Sequence, residues 1–263
     1  HTLLPKPTHH QPRAKRVIFI FMQGGPSHVD SFDYKPLLEK EDGKMREFVD
    51  ARTLAKTRKI IQHRVMKGQW KFHQYGQSGR WVSDLFPQMA QHVDKMCLLQ
   101  GMHTEGIAHG PATLFMHTGS INLIRPAMGA WVQYGLGTEN QNLPGFVTIS
   151  PSMGNGGPRN WGNAFLPTVY QGSPVGRAGQ SAQEAKIRYL VNEQLSPAQQ
   201  REQFELLRAL NAEQLRGGST SAPPVADSEL EAVIGSYELA FRMQQHAPEA
   251  VSYTHLTLPT NRE

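Results

Sequence analysis

Val17-Ile18-Phe19-Ile20-Phe21-Met22, followed at once by Gln23-Gly24-Gly25-Pro26-Ser27-His28-Val29-Asp30-Ser31-Phe32-Asp33, is the stretch on which the reading of the fold turns. A continuous β-branched and aromatic run, closed by two glycines and a proline, predicts a buried central strand and a turn. In open α/β sheets the ligand crevice lies beyond the carboxyl ends of the strands. The loop at 23–33, with Ser27, His28, Asp30, Ser31 and Asp33, is therefore where chemistry is expected.

Working outward, Leu85 to Val93 reads as a helix and Met96 to Met102 as a second buried strand, followed by the polar loop His103 to His109. Gly110-Pro111 opens a short helix, because proline suits the first helical position. That helix runs through Leu114, Phe115 and Met116 and stops at Gly119. A further helix is expected over Met128 to Tyr134, closed by Gly135 and Gly137, and a third short strand over Phe146 to Ile149. Lys35 to Lys71, polar and weakly periodic, reads as an insertion over the sheet edge. Ser196-Pro197-Ala198-Gln199 is a capping box ahead of Phe204, Leu207 and Leu210 at helical spacing. Ser228 and Glu231 form a second one, ahead of the stripe Leu230, Val233, Ile234, Tyr237 and Phe241. The fold expected from these elements is α/β: a three-layer domain with a largely parallel sheet.

Composition bounds the function. The 263 residues carry 27 Lys and Arg against 22 Asp and Glu. The positive residues are scattered, whereas a nucleic-acid binder concentrates charge on one face, so no nucleic-acid partner is expected. No apolar run is long enough to span a bilayer. The one cysteine, Cys97, lies in the apolar run Met96-Cys97-Leu98-Leu99 and reads as a small core residue that can form neither an internal disulfide nor a thiolate cage.

Both ends invite separate readings. Residues 1–15 are a Pro/His-rich lead-in of the kind that follows a signal segment. Residues 251–263 contain Val251-Ser252-Tyr253-Thr254-His255-Leu256-Thr257-Leu258-Pro259-Thr260-Asn261, which back-translates to a sequencing-library adapter. The natural domain is thus expected over 16–250, as the N-terminal portion of a longer gene product interrupted by that tail.

The segment Phe21 to Asp33 resembles the opening motif of domain-of-unknown-function family 1501. So do Met102-His103-Thr104-Glu105, His109-Gly110-Pro111-Ala112, the stretch from Met128-Gly129-Ala130-Trp131 to Pro144-Gly145-Phe146, Leu166 to Gly172, and Tyr237 to Met243. The resemblance covers about residues 14 to 250. It implies an exported protein, periplasmic or envelope-located, often made behind a twin-arginine signal. It also implies a distant relation to sulfatases and alkaline phosphatases, which hold a divalent metal with Asp and His and attack esters through Ser, Thr or Cys at a helix N-terminus. Metal-dependent hydrolysis of a sulfate or phosphate ester, on a small molecule or polysaccharide, is the activity so implied.

On that reading His28, Asp30, His103 and Glu105 are the metal candidates. Thr104 and His109 stand where catalysis is expected, and Gly24, Gly25, Ser27 and Gly110 form the anion-binding loop. Each has a plainer alternative. His28 and Asp30 can brace their own loop, and the loop from His103 to His109 can satisfy its own backbone. Gly24 and Gly25 can serve unusual backbone angles. Two departures stand out: Gln23 occupies the position where relatives place a metal-binding Asp, and His109 falls at the nucleophile position. They favour the other function expected on this fold, an exported, non-catalytic binding or envelope-associated protein. Trp131, Trp161 and Tyr170 read as packing residues.

Overall fold

The computed structural model describes residues 3–50, 53, 57–181, 194–217 and 234–246. The second capping box and the adapter-like tail lie outside the described residues. The chain divides into two compact units, one of His1–Lys15 with Gly110–Glu263 and one of Arg16–His109.

The expected three-layer, alkaline-phosphatase-like parallel sheet is not what forms. Among the described residues there are three separate two-stranded sheets, two antiparallel and one parallel. Val17 to Met22 belongs to none of them, and Val17, Ile18 and Ile20 are 72%, 84% and 78% exposed. Met96 to Met102 is likewise outside any strand, with Leu99 and Met102 exposed. A buried parallel strand needs strands at both edges and helices on both faces. The described residues supply neither to these two runs, so their composition alone does not make them strands. Cys97 is exposed rather than in a core, because its segment is not a core strand.

In the unit of 16–109, α1 (Pro36–Lys40) precedes the antiparallel hairpin β1 (Met45–Val49) and β2 (Ile60–Arg64), paired Met45 with Arg64 through Val49 with Ile60. This is what the polar excursion becomes. A second antiparallel hairpin follows, β3 (Phe72–Tyr75) with β4 (Arg80–Ser83). Val82 is fully buried against Ala90 of α2 (Pro87–Ala90) and Val93, with Phe32, Tyr75 and Phe86 packed around them. Alternation along β4 decides its faces: Val82 points to this small core while Trp81 stays exposed at the rim. The helix expected over 85–93 is thus split into α2 and a 3-10 turn at Val93–Lys95.

In the other unit, α3 (His109–Thr118) and α4 (Met128–Leu136) form where glycine and proline signals place them. The third expected strand is realised as β5 (Val147–Ile149), parallel to β6 (Ser173–Val175). The core joins Leu3, Ala130, Leu166, Val169, Tyr170 and Leu239, with Phe146 and Met243 against it. Trp161 and Tyr170 are buried, as packing residues should be, whereas Trp131 is a half-exposed rim residue. The first capping box closes as written: Gln199 N–H donates to Ser196 Oγ at 3.4 Å, and Ser196 N–H donates to Gln199 Oε1 at 3.0 Å. It starts α5 (Pro197–Gly217), which stacks Phe204 on Phe241 of the helical residues 234–246, ring centres 5.0 Å apart.

His117, in the last turn of α3, is half-buried, and desolvation holds its pKa below the ordinary histidine value. As pH falls through the unfolded-state value near 6.5, the unfolded chain takes up a proton before the folded one does. Stability carried by neutral His117 is therefore complete above about pH 6.5 and is lost as pH drops towards its folded value. Urea midpoints measured between pH 8 and pH 5 are expected to fall on the acid side, and to fall less in His117→Gln.

Candidate functional site

The first loop is built around a 3-10 turn at His28–Asp30. Ser31 is buried; its Oγ donates to the Ser27 carbonyl at 2.8 Å, closing the turn on itself. The loop is then pinned to β4 twice. Ser83 Oγ donates to the Asp30 carbonyl at 2.6 Å, and Ser83 N–H donates to the Ser31 carbonyl at 3.0 Å. Fully buried Ser83 thus has both its hydroxyl and amide engaged, as burial of polar groups requires. Gly24 and Gly25 adopt φ of 90° and 73°, so they serve backbone angles that other residues avoid.

The surroundings of the expected site residues differ from one to the next. The His28 imidazole is largely exposed and approaches Asp33 at 4.0 Å, not Asp30. His103, Glu105 and His109 are exposed. Thr104 Oγ1 accepts from Gly106 N–H at 2.9 Å, the plainer alternative of a loop satisfying its own backbone. His109 and Gly110 begin α3. Among the described residues no three His, Cys, Asp or Glu side chains gather in a way that could hold a metal ion.

The end of the first loop meets the segment that precedes the second loop, rather than the second loop at 103–109 itself. Gln100 Nε2 donates to the Phe32 carbonyl at 2.9 Å, joining the end of the first loop to the segment after Met96. Beside this bond opens a groove of about 260 Å3. Phe32, Asp33 and Tyr34 form one wall, Leu98 and Gln100 another, and Arg80 with Trp81 of β4 the third. Tyr34 lies between two rings of the β3–β4 hairpin, 5.0 Å from Phe72 and 4.5 Å from Trp81 between centres. Phe32 stacks on Phe86 at 5.4 Å and so ties the groove to the small core.

The groove's polar groups divide into engaged and available ones. Asp33 is paired with Lys35 at 2.8 Å. Arg80, the Tyr34 hydroxyl, the Trp81 indole N–H and Gln100 Oε1 make no bond to another described residue. These are three kinds of donor and one acceptor at the rim of an aromatic surface. Sequence reasoning passed over the hairpin at 72–83. Its signal was Gly76 and Gly79 bracketing a four-residue turn between two short aromatic-rich runs.

The family model described as a protein of unknown function, DUF1501, matches residues 14–259. The chain belongs to the DUF1501 family. This match spans both units, and it runs on through residue 259 into the adapter-like tail. No curated protein and no solved structure matches the chain. Membership of DUF1501 leaves the groove as the feature from which function is argued, and no described helix is long and apolar enough to cross a membrane.

Proposed function

We propose that this DUF1501 protein is a non-catalytic binding protein, exported as the family resemblance implies, that takes one saccharide ring in the groove between Tyr34, Trp81 and Gln100. The observation that carries this reading is the Tyr34–Trp81 pair, a half-buried tyrosine against an exposed indole, with unengaged polar groups at its edge. An indole or phenol face carries negative quadrupole, and the C–H face of a sugar ring is its positive complement. Gln100 and the indole N–H at the rim suit the hydroxyls of the same ring. The volume lies below the roughly 300–1,000 Å3 of sites that enclose a drug-sized ligand, so a longer saccharide would place one ring here.

Metal-dependent ester hydrolysis would require His28, Asp30, His103 and Glu105 to converge. Binding is preferred because the aromatic groove is present, whereas no three of these side chains gather as metal ligands among the described residues.

The test is titration of the full chain with cellotetraose, followed by tryptophan fluorescence. Wild type is expected to show saturable binding in the micromolar to millimolar range. Trp81→Ala is expected to weaken it at least tenfold, and Trp131→Ala to leave it unchanged. Circular dichroism of both variants separates lost binding from lost fold. Absence of saturation in wild type, or equal loss in both variants, would remove the proposal.

A further inference from the structure

We infer that the groove prefers an anionic saccharide, one carrying a carboxylate or sulfate group that Arg80 receives. The inference rests on the binding reading above and adds the chemical class of its ligand.

It follows from the charges that face the groove. Two lining residues are charged, Asp33 and Arg80. Asp33 is not a free anion, because Lys35 Nζ lies 2.8 Å from its Oδ2, and the His28 imidazole approaches the same oxygen at 4.0 Å. A carboxylate paired at that distance presents little net field to a ligand. Among the described residues Arg80 has no such compensation, with neither an acid paired to it nor a carbonyl accepting from it. As far as the described residues go, the groove therefore presents one uncompensated positive charge beside an aromatic platform.

The kind of charge matters as well as its sign. A guanidinium is a planar fork whose paired N–H groups match two oxygens of a carboxylate or sulfate. Arg80 opens β4, and its partner across the hairpin is Tyr75. The adjacent Trp81 is held at the groove by its contact with Tyr34. Arg80 and Trp81 both line the one groove, so a substituted ring held against Trp81 has the Arg80 fork as the groove's positive group.

A neutral sugar can use the platform but leaves the Arg80 charge to water. A free inorganic anion can use Arg80 but leaves the platform empty. Only a molecule with both features uses the whole groove.

Three probes separate these cases, each titrated into the full chain at matched ionic strength: cellotetraose, a chondroitin sulfate tetrasaccharide, and sodium sulfate. The sulfated tetrasaccharide is expected to bind at least tenfold more tightly than cellotetraose. Arg80→Gln is expected to abolish that advantage, bringing the sulfated tetrasaccharide to the affinity of cellotetraose. Because Arg80 is exposed, this substitution should not disturb folding, and Arg80→Lys is expected to restore only part of the preference. Equal affinity for the two tetrasaccharides in wild type overturns the anionic preference and leaves the binding reading standing. Failure of both tetrasaccharides overturns both. Sodium sulfate binding as tightly as the sulfated tetrasaccharide would show a site for free anion and overturn the saccharide assignment.

Discussion

Gly137→Ala is expected to destabilise its unit by about 3 kcal/mol, the sum of a left-handed backbone penalty and the loss of roughly two hydrogen bonds. Gly137 ends α4 at φ 74°, a conformation that an L side chain adopts only at a cost. A methyl there would also overlap the backbone of Leu3 and Leu4. That backbone cannot yield, because it is fixed to the end of α4. Thr138 N–H donates to the Leu3 carbonyl at 2.8 Å, Lys6 N–H to the Leu136 carbonyl at 2.9 Å, and the Lys6 ammonium to the Tyr134 carbonyl. Leu3 itself is 6% exposed in the main core of this unit. Expelling the segment therefore uncovers a core residue as well as breaking its hydrogen bonds. The control sits two residues away. Gly135 lies within α4 with open space around it, and Gly135→Ala is expected to stabilise by up to about 1 kcal/mol through helix propensity. Opposite signs in urea unfolding, from the same substitution on the same helix, would confirm the argument. Two similar values would contradict it.

Gly76→Ala is expected to damage stability and binding together. Gly76 opens the β3–β4 turn at φ 66°, which alone costs about 1–2 kcal/mol for any other residue. The added methyl would also overlap the Asp94 carboxylate, which accepts from Gln77 N–H and Ser78 N–H at 2.9 Å each. Those backbone donors hold the Asp94 carboxyl below the ordinary aspartate range. The stability it supplies is present at neutral pH and lost as pH falls through that lowered value. The turn sets the register that pairs Tyr75 with Arg80 and so places Arg80 and Trp81 at the groove. Gly76→Ala is thus expected to lower the thermal midpoint and to weaken tetrasaccharide binding severalfold at a temperature where the protein remains folded. Asp94→Asn, which removes the charge and keeps the shape, is expected to flatten the acid limb of stability with a smaller effect on binding.

How much of this was legible in the sequence depends on the range of the forces involved. α3, α4 and the start of α5 were, because their signals are local: Pro111 at a helix start, Gly137 at a helix end, Ser196 with Gln199 at a cap. Val17 to Met22 and Met96 to Met102 misled because strand composition states a propensity, while a strand exists only with partners, and partners are set by tertiary context. The choice of site residues rested on the same reading. His28, Asp30, His103 and Glu105 were chosen as residues beyond the ends of two strands, and those strands are not formed. The contact that does form joins Phe32 to Gln100, which precedes the loop at 103–109 and was not among the residues chosen. What the sequence could not disclose is that the hairpin at 72–83 would close the third wall. Ser83 reaching Asp30, and Trp81 reaching Tyr34, are contacts across about fifty residues that no local pattern records.

The most direct test of the groove as the functional site uses the four tryptophans, Trp70, Trp81, Trp131 and Trp161, as internal reporters. With 5-fluorotryptophan incorporated and the resonances assigned by single Trp→Phe variants, a chondroitin sulfate tetrasaccharide is added to the full chain and 19F spectra are recorded. The Trp81 resonance is expected to shift most, with Trp131 and buried Trp161 unmoved. A largest shift at Trp131, or none at any of the four, would contradict the assignment of function to this groove.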